Sequence, residues 1–237
     1  MKVLYLNCAT RLSKKKSETP QRLWLQDFVV SNNIDVVCLA ESSNYNFIES
    51  LPETFKKENC WFPADSALAK YGYKMNICSK EDVVFEPLNY VVSHELIDGD
   101  YEKVLIDYGT GTMIVVKLKD IEFVAVHIQH PQRKYPSPYN LYYEIGLRTL
   151  YNYMEKERPI AVFGDFNNYP GDASFEKLKT VYRDVNTNED AYSYIHESSG
   201  TKFLLDHTFT VSDTLTMKYI DTLSHGFDHK GMLINIE

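Results

Sequence analysis

Apolar and polar positions along the chain follow two rhythms. Short apolar runs rich in β-branched residues recur at Lys2–Asn7, Asp35–Ala40, Thr112–Leu118, Glu122–His127, Ile160–Phe163, Leu205–Val211 and Gly231–Ile236, and each is a predicted strand. Between them lie segments with helical spacing. Thr19-Pro20 opens one, with Pro at the first helical position and an apolar stripe of Trp24, Leu25, Phe28 and Val29. Ser137-Pro138 opens a second, predicted to run to about Glu157, with Leu141, Ile145 and Tyr153 spaced for one face. A third, shorter helix is expected from Asp172 or Ser174 and carries Phe175 and Leu178. The stretch from about Ala64 to Val116 reads as strands and hairpins. Helices among strands, with a β-rich middle, point to two sheets covered by helices rather than a simple βαβ alternation.

The chain has 237 residues, 44% of them hydrophobic, enough for one sizeable core. No repeat, low-complexity tract or Gly/Ser linker divides it, so residues 1–237 read as a single domain. No run approaches the roughly 18 apolar residues of a membrane helix, and the N-terminus lacks the features of a signal peptide. The four cysteines, Cys8, Cys38, Cys60 and Cys78, are unclustered and read as reduced thiols rather than disulfides or a zinc site. These features favour a cytoplasmic setting and a monomer with no obligate protein partner. A net charge of −8 argues against tight, non-specific binding of long duplex DNA. Any nucleic-acid groove must be local, or the substrate small. No glycine-rich dinucleotide or Walker-type phosphate loop is present.

Chemistry concentrates where the predicted strands end. One strand ends at Asn7, the next at Glu41, another at His127, and another at Asp165, with Asn167 two positions on. In extended chain residues i and i+2 face the same side, so Asp165 and Asn167 can share a pocket. Two Asp-His doublets, Asp206-His207 and Asp228-His229, adjoin late apolar strands. Each feature has an ordinary reading by itself: a turn former, a solvated charge, a structural histidine. Together they supply many oxygen ligands and few thiols, which suits a hard cation such as Mg²⁺ or Mn²⁺. Imidazoles and spare carboxylates beside such an ion are what phosphate-ester hydrolysis requires.

The pieces YLN at 5–7, DVVCLAE at 35–41, VAVH at 124–127, GDFN at 164–167, LLDHTFTVS at 204–212 and FDHKGMLI at 227–234 stand in an order that resembles the endonuclease/exonuclease/phosphatase superfamily, over nearly the whole chain. The resemblance implies a four-layer α/β/β/α sandwich, two packed mixed β-sheets flanked by helices, with the site at one edge. It implies a hydrolase acting on a phosphodiester, foremost a nuclease acting on DNA, RNA or a nucleotide. By the same resemblance Glu41 is the main metal carboxylate, helped by Asn7 and Asp228. Asp165 orients or deprotonates the attacking water, Asn167 binds the scissile phosphate, His229 contacts phosphate or takes the proton with Asp206 as its partner, and His127 faces phosphate. The general base stays open between Asp165 and His229.

The chain departs from the family pattern in three places. Phe227 stands where Ser usually precedes the last Asp-His, Gly231 where Pro is frequent, and Ala40 where Gln often precedes the glutamate. For substrate contacts, Arg133-Lys134-Tyr135 follows His127 and joins two cations to an aromatic, a combination suited to phosphate and base. A second basic patch, Arg11 with Lys14–Lys16, follows the first strand. Two alternatives remain. The same site suits a phosphatase of an inositol phosphate or other small phosphomonoester. A catalytically inactive binding scaffold would use the same fold, although it would be expected to lose Glu41, Asp165 or His229.

Overall fold

Residues that alternate sides along a strand while staying apolar on both sides need cover above and below, and the chain meets that need by stacking. The computed structural model describes residues 1–8, 19–42, 46–62, 75–88, 91–98, 102–109, 111–128, 130–131, 138–168, 171–186, 191–196 and 198–237. In chain order the first strands are β1 (Lys2–Asn7), β2 (Val36–Ala40), β3 (Cys60–Trp61), β4 (Met75–Ser79) and β5 (Val84–Pro87). A ribbon of β6 (Val91–Asp98) and β7 (Glu102–Gly109) leads to β8 (Gly111–Leu118), β9 (Ile121–Ile128) and β10 (Ala161–Asp165). The last strands are β11 (Arg183–Asp184), β12 (Tyr194–Ile195), β13 (Lys202–Phe203), β14 (Asp206–Thr210), β15 (Thr216–Ile220) and β16 (Gly231–Asn235). The helices are α1 (Thr19–Ser31), the short α2 (Asn46–Glu49), α3 (Pro138–Glu157) and α4 (Ala173–Leu178).

Two mixed six-stranded sheets result, in the orders β15-β16-β1-β2-β4-β3 and β11-β14-β10-β9-β8-β5. Three apolar clusters fill three interlayer spaces. Val3, Tyr5, Val36, Cys38 and Ile77 of the first sheet meet Ile114, Val116, Phe123, Ala125 and Phe163 of the second. The alternate residues Leu4, Leu6, Val37 and Leu39 turn outward onto Leu25 and Val29 of α1. Val115, Val124, Val126 and Val162 turn outward onto α3 and α4. Each fully buried Leu, Ile or Phe contributes about 1.5–3 kcal/mol, so the layer order follows from where these side chains lie. This is the expected α/β/β/α sandwich.

The expected helix starts hold. Asp172 caps α4, its side chain accepting from the Ser174 and Phe175 backbone N–H groups. The expected face of α3 does not hold. Leu141 is exposed, and the buried stripe is Tyr143, Leu147, Leu150 and Met154; a helix with apolar residues on several sides has its face chosen by the sheet it lands on. The cysteine expectation fails in one pair. Cys60 and Cys78 face each other in the β3–β4 register and form a disulfide, while Cys8 and Cys38 stay free and buried. Cross-strand register brings together residues 18 apart in the chain, and it withdraws one ground for the cytoplasmic expectation. Among the described residues no helix is long and apolar enough to cross a membrane.

Candidate active site

β1 and β2 run parallel in the first sheet and β9 and β10 run parallel in the second, so their C-terminal ends come to one edge of the sandwich. Register then sets the neighbours: Asn7 lies opposite Ala40, Asp165 opposite His127, and Asp165 opposite Asp206 on its other side. Tyr5 joins the sheets. From the inner face of β1 its hydroxyl donates to the Val126 carbonyl at 3.1 Å and accepts the Asp165 N–H at 2.9 Å. Burial and the nearby Asp206 and Asp165 carboxylates hold this phenol well above its ordinary pKa, so it stays a neutral bridge.

Around that bridge the polar groups meet. The Asn7 amide donates to Glu41 Oε1 at 3.3 Å and to Asp165 Oδ2 at 3.1 Å. His127 Nε2 lies 3.4 Å from Glu41 Oε1 and 3.9 Å from Asp165 Oδ2. His229 Nε2 lies 3.9 Å from the same Asp165 oxygen, and its Nδ1 is 2.7 Å from Asp206 Oδ2. The ligand atoms of Glu41, His127 and Asp165 lie within 4.8 Å of one another, as do those of Asp165, Asp206 and His229. Asp165 is common to both groups.

The electrostatics follow from that crowding. The His127 hydrogen bond holds Glu41 down to about 2, against the effect of burial. Burial and the Asp206 charge push Asp165 up to about 6. Burial also lifts Asp228 to about 6, with Glu41 adding and His229 opposing. Burial disfavours the charged form of His229, but Asp206, Asp165 and Asp228 outweigh it and raise the imidazole to about 10. His127 is raised in the same way, burial opposing and Glu41 and Asp165 prevailing.

Local backbone is committed to this arrangement. Glu41 and Asn167 are non-glycine residues at φ 54° and φ 48°, a conformation that needs surrounding support. After Glu41, the Asn76 amide donates to the Ser42 carbonyl at 2.9 Å and hydroxyl at 2.8 Å. Asn167 is tied by its N–H to Asp165 Oδ1 at 2.8 Å and by its amide to the Ile128 carbonyl at 2.9 Å. Gly164 explains its own place in GDFN. Its φ is +141°, and a Cβ there would stand 1.9 Å from the Val126 carbonyl oxygen.

The structure thus brings Asn7, Glu41, His127, Asp165, Asn167, Asp206 and His229 to one edge. Asp228 adjoins them and interacts electrostatically with Glu41, but it belongs to neither close group of ligand atoms. Arg133, Lys134 and Tyr135 lie outside the described residues, as does the Arg11 and Lys14–Lys16 patch. The two Asp-His doublets separate. Asp206 faces the site, whereas His207, next along β14, faces the opposite side and pairs with Asp184 at 3.1 Å. Phe227, in the place of the family's serine, is buried against Trp24 and Phe47.

Several contributors carry no motif. The buried Ser193 hydroxyl accepts the Leu205 and Asp206 N–H groups, each at 3.0 Å, and the Ser193 carbonyl accepts from the Lys230 N–H at 2.7 Å. Thr222 donates to the His229 carbonyl and accepts the Gly231 N–H. The Tyr194 ring lies 4.8 Å from the His229 ring. Isolated Ser, Thr and Tyr residues in irregular segments give no signal in a sequence.

No family model and no curated protein matches the chain by sequence. Solved structures match it throughout. TDP2 from D. rerio, complexed with a single-strand DNA product, is 14% identical with a TM-score of 0.64, covering 100% of this chain and 99% of that one. An endonuclease/exonuclease/phosphatase family protein from Leptotrichia buccalis is 15% identical with a TM-score of 0.61 over the same shares. The endonuclease domain of TRAS1, a telomere-specific non-LTR retrotransposon, is 16% identical with a TM-score of 0.59, covering 100% of this chain and 98% of that one. The chain therefore has the endonuclease/exonuclease/phosphatase fold.

Proposed function

We propose that this protein is a divalent-metal-dependent phosphodiesterase, and foremost a nuclease. One observation carries the reading: from distant strand ends of both sheets, the Asn7 amide at 3.1 Å and the His127 and His229 imidazoles, each at 3.9 Å, converge on Asp165. A structural role would not gather acids in this way without matching cations. The donor set fits a hard cation, because oxygen ligands dominate and the buried Asp228 Oδ1 has no hydrogen-bond partner among the described residues. Glu41, Asn7 and Asp228 would hold Mg²⁺ or Mn²⁺. When bound, the ion supplies positive charge to a phosphate oxygen.

The remaining chemistry belongs to the chain. The water oxygen bonds to phosphorus and one ester P–O bond breaks, giving a phosphomonoester and an alcohol. Asp206 keeps the proton on His229 Nδ1, so Nε2 is the reactive nitrogen; it accepts a proton when neutral and donates to a phosphoryl oxygen when charged. Asp165 stands beside it as the second group able to take the water proton. The Asn167 amide uses one hydrogen on Ile128 and has another for a phosphate oxygen. His127, already on Glu41, supplies a further donor at the pocket wall.

The similarity to TDP2 with a single-strand DNA product and to the TRAS1 endonuclease domain supports a phosphodiester in nucleic acid over a phosphomonoester. The test is hydrolysis of bis-nitrophenyl phosphate, single-stranded DNA, RNA, plasmid and inositol phosphates with Mg²⁺ or Mn²⁺. Turnover of a diester that disappears in EDTA and in Glu41→Ala supports the reading. Turnover of the inositol phosphates alone would move it to a phosphatase, and no turnover on the panel would make the protein a binding scaffold.

A further inference from the structure

Tyr192 lies under two cations. The Lys230 ammonium is 3.5 Å from its ring centroid and the Lys202 ammonium 4.4 Å. Lys117, Lys119, Lys156 and Lys179 each rest on a carboxylate. Among the described ion pairs Lys202 and Lys230 have no acidic partner. A cation held over a π face keeps N–H donors to offer. In a chain of net charge −8, two ammonium groups on one tyrosine ring concentrate positive charge locally.

Their position is tied to the imidazole. Lys230 directly follows His229, and its N–H is held by the Ser193 carbonyl. The His229 backbone bridges that of Tyr194, whose ring lies against the imidazole. Lys202 stands on β13, opposite Ile195 of β12. Ser193, Tyr194 and the β12–β13 pair thus tie the backbone that carries both lysines to that of His229. A substrate with one phosphate needs no second cationic site; a substrate with further phosphates does, and on the phosphodiesterase reading that substrate is a nucleic-acid strand.

We propose that Tyr192, Lys202 and Lys230 form a subsite that takes the phosphates of a single-stranded nucleic acid next to the scissile one. Tyr192 orders the two lysine chains in advance, which lowers the conformational cost of binding. The proposal rests on the phosphodiesterase reading, and binding is measured without metal so that the two can fail separately.

The experiment is fluorescence anisotropy of a labelled oligothymidylate with the full chain in EDTA, titrated with salt. Each lost phosphate contact on a single strand lowers the slope of log K against log salt by about 0.7. Lys202→Gln with Lys230→Gln should lower it by about 1.4, and Lys202→Arg with Lys230→Arg should keep it. Tyr192→Ala keeps both charges but frees them, and should weaken binding about fivefold or more at an unchanged slope. An unchanged slope in a double Gln variant with wild-type melting temperature overturns the proposal. So does a slope lost for inositol hexakisphosphate but retained for the oligonucleotide. If the Gln variant unfolds, the Arg and Tyr192→Ala variants decide. Absent diester hydrolysis with the slope change intact fails the phosphodiesterase reading alone.

Discussion

Asp206 and His207 are consecutive residues of β14, and each closes a carboxylate–imidazole pair in a different region. On one face Asp206 holds His229 at 2.7 Å, and the other imidazole nitrogen looks toward Asp165 at 3.9 Å. On the other face His207 meets Asp184 at 3.1 Å, its second nitrogen lies 3.3 Å from the Leu204 carbonyl, and Phe166, Phe175 and Phe209 surround the ring. The pairs share a chemistry and differ in what remains free. His207 has both nitrogens committed and aromatic walls, so it serves as mortar between β14 and α4. His229 keeps a nitrogen facing a shared carboxylate in a crowded acidic pocket. On the proposed function, what sets the two Asp–His pairs apart is the third neighbour: Asp165 beside His229, a backbone carbonyl and aromatic rings around His207.

His229→Ala should lower kcat on a diester by about 10³-fold or more, measured under saturating metal. His207→Ala should leave kcat within about threefold while costing about 3 kcal/mol of stability in urea unfolding, because Asp184 loses its partner. Equal losses of activity in the two variants would erase the distinction. Next, Asp206→Asn should lower kcat about a hundredfold with little change in KM, since the imidazole loses its orienting charge. Asp184→Asn should lower the melting temperature and spare kcat.

Metal addition sharpens the same contrast. At about a hundredfold over its Kd, Mg²⁺ or Mn²⁺ should stabilise the fold by about 2.7 kcal/mol, seen as a raised melting temperature. Glu41→Ala should abolish that rise and His207→Ala should retain it. The smallest effect belongs to Ser193→Ala, which leaves the Leu205 and Asp206 N–H groups without an acceptor. About 1–2 kcal/mol of stability should be lost, with kcat falling several-fold as Asp206 loosens.

Much of the fold was legible along the chain. The strand runs, the Thr19-Pro20 and Pro138 helix starts and the start of the short helix near Asp172 all appear where the pattern put them, because each is set by residues close in sequence. Strand-end residues Asn7, Glu41, His127 and Asp165 were also legible, since polar groups that interrupt apolar runs stand out. The face of α3, the Cys60–Cys78 bond and the splitting of the Asp-His doublets were not. Each depends on which surface arrives opposite.

Local pattern along the chain fixes which segments are strands and helices and which residue types stand at their ends, through period, capping and burial preference. Packing of the two sheets is what brings those ends to one edge, lets Tyr5 span the gap, and turns Asp206 toward His229 while its neighbour faces the core. The physical reason is range: periodicity and caps act over a few residues, whereas register and sheet packing join groups such as Asn7 and Asp165, 158 positions apart.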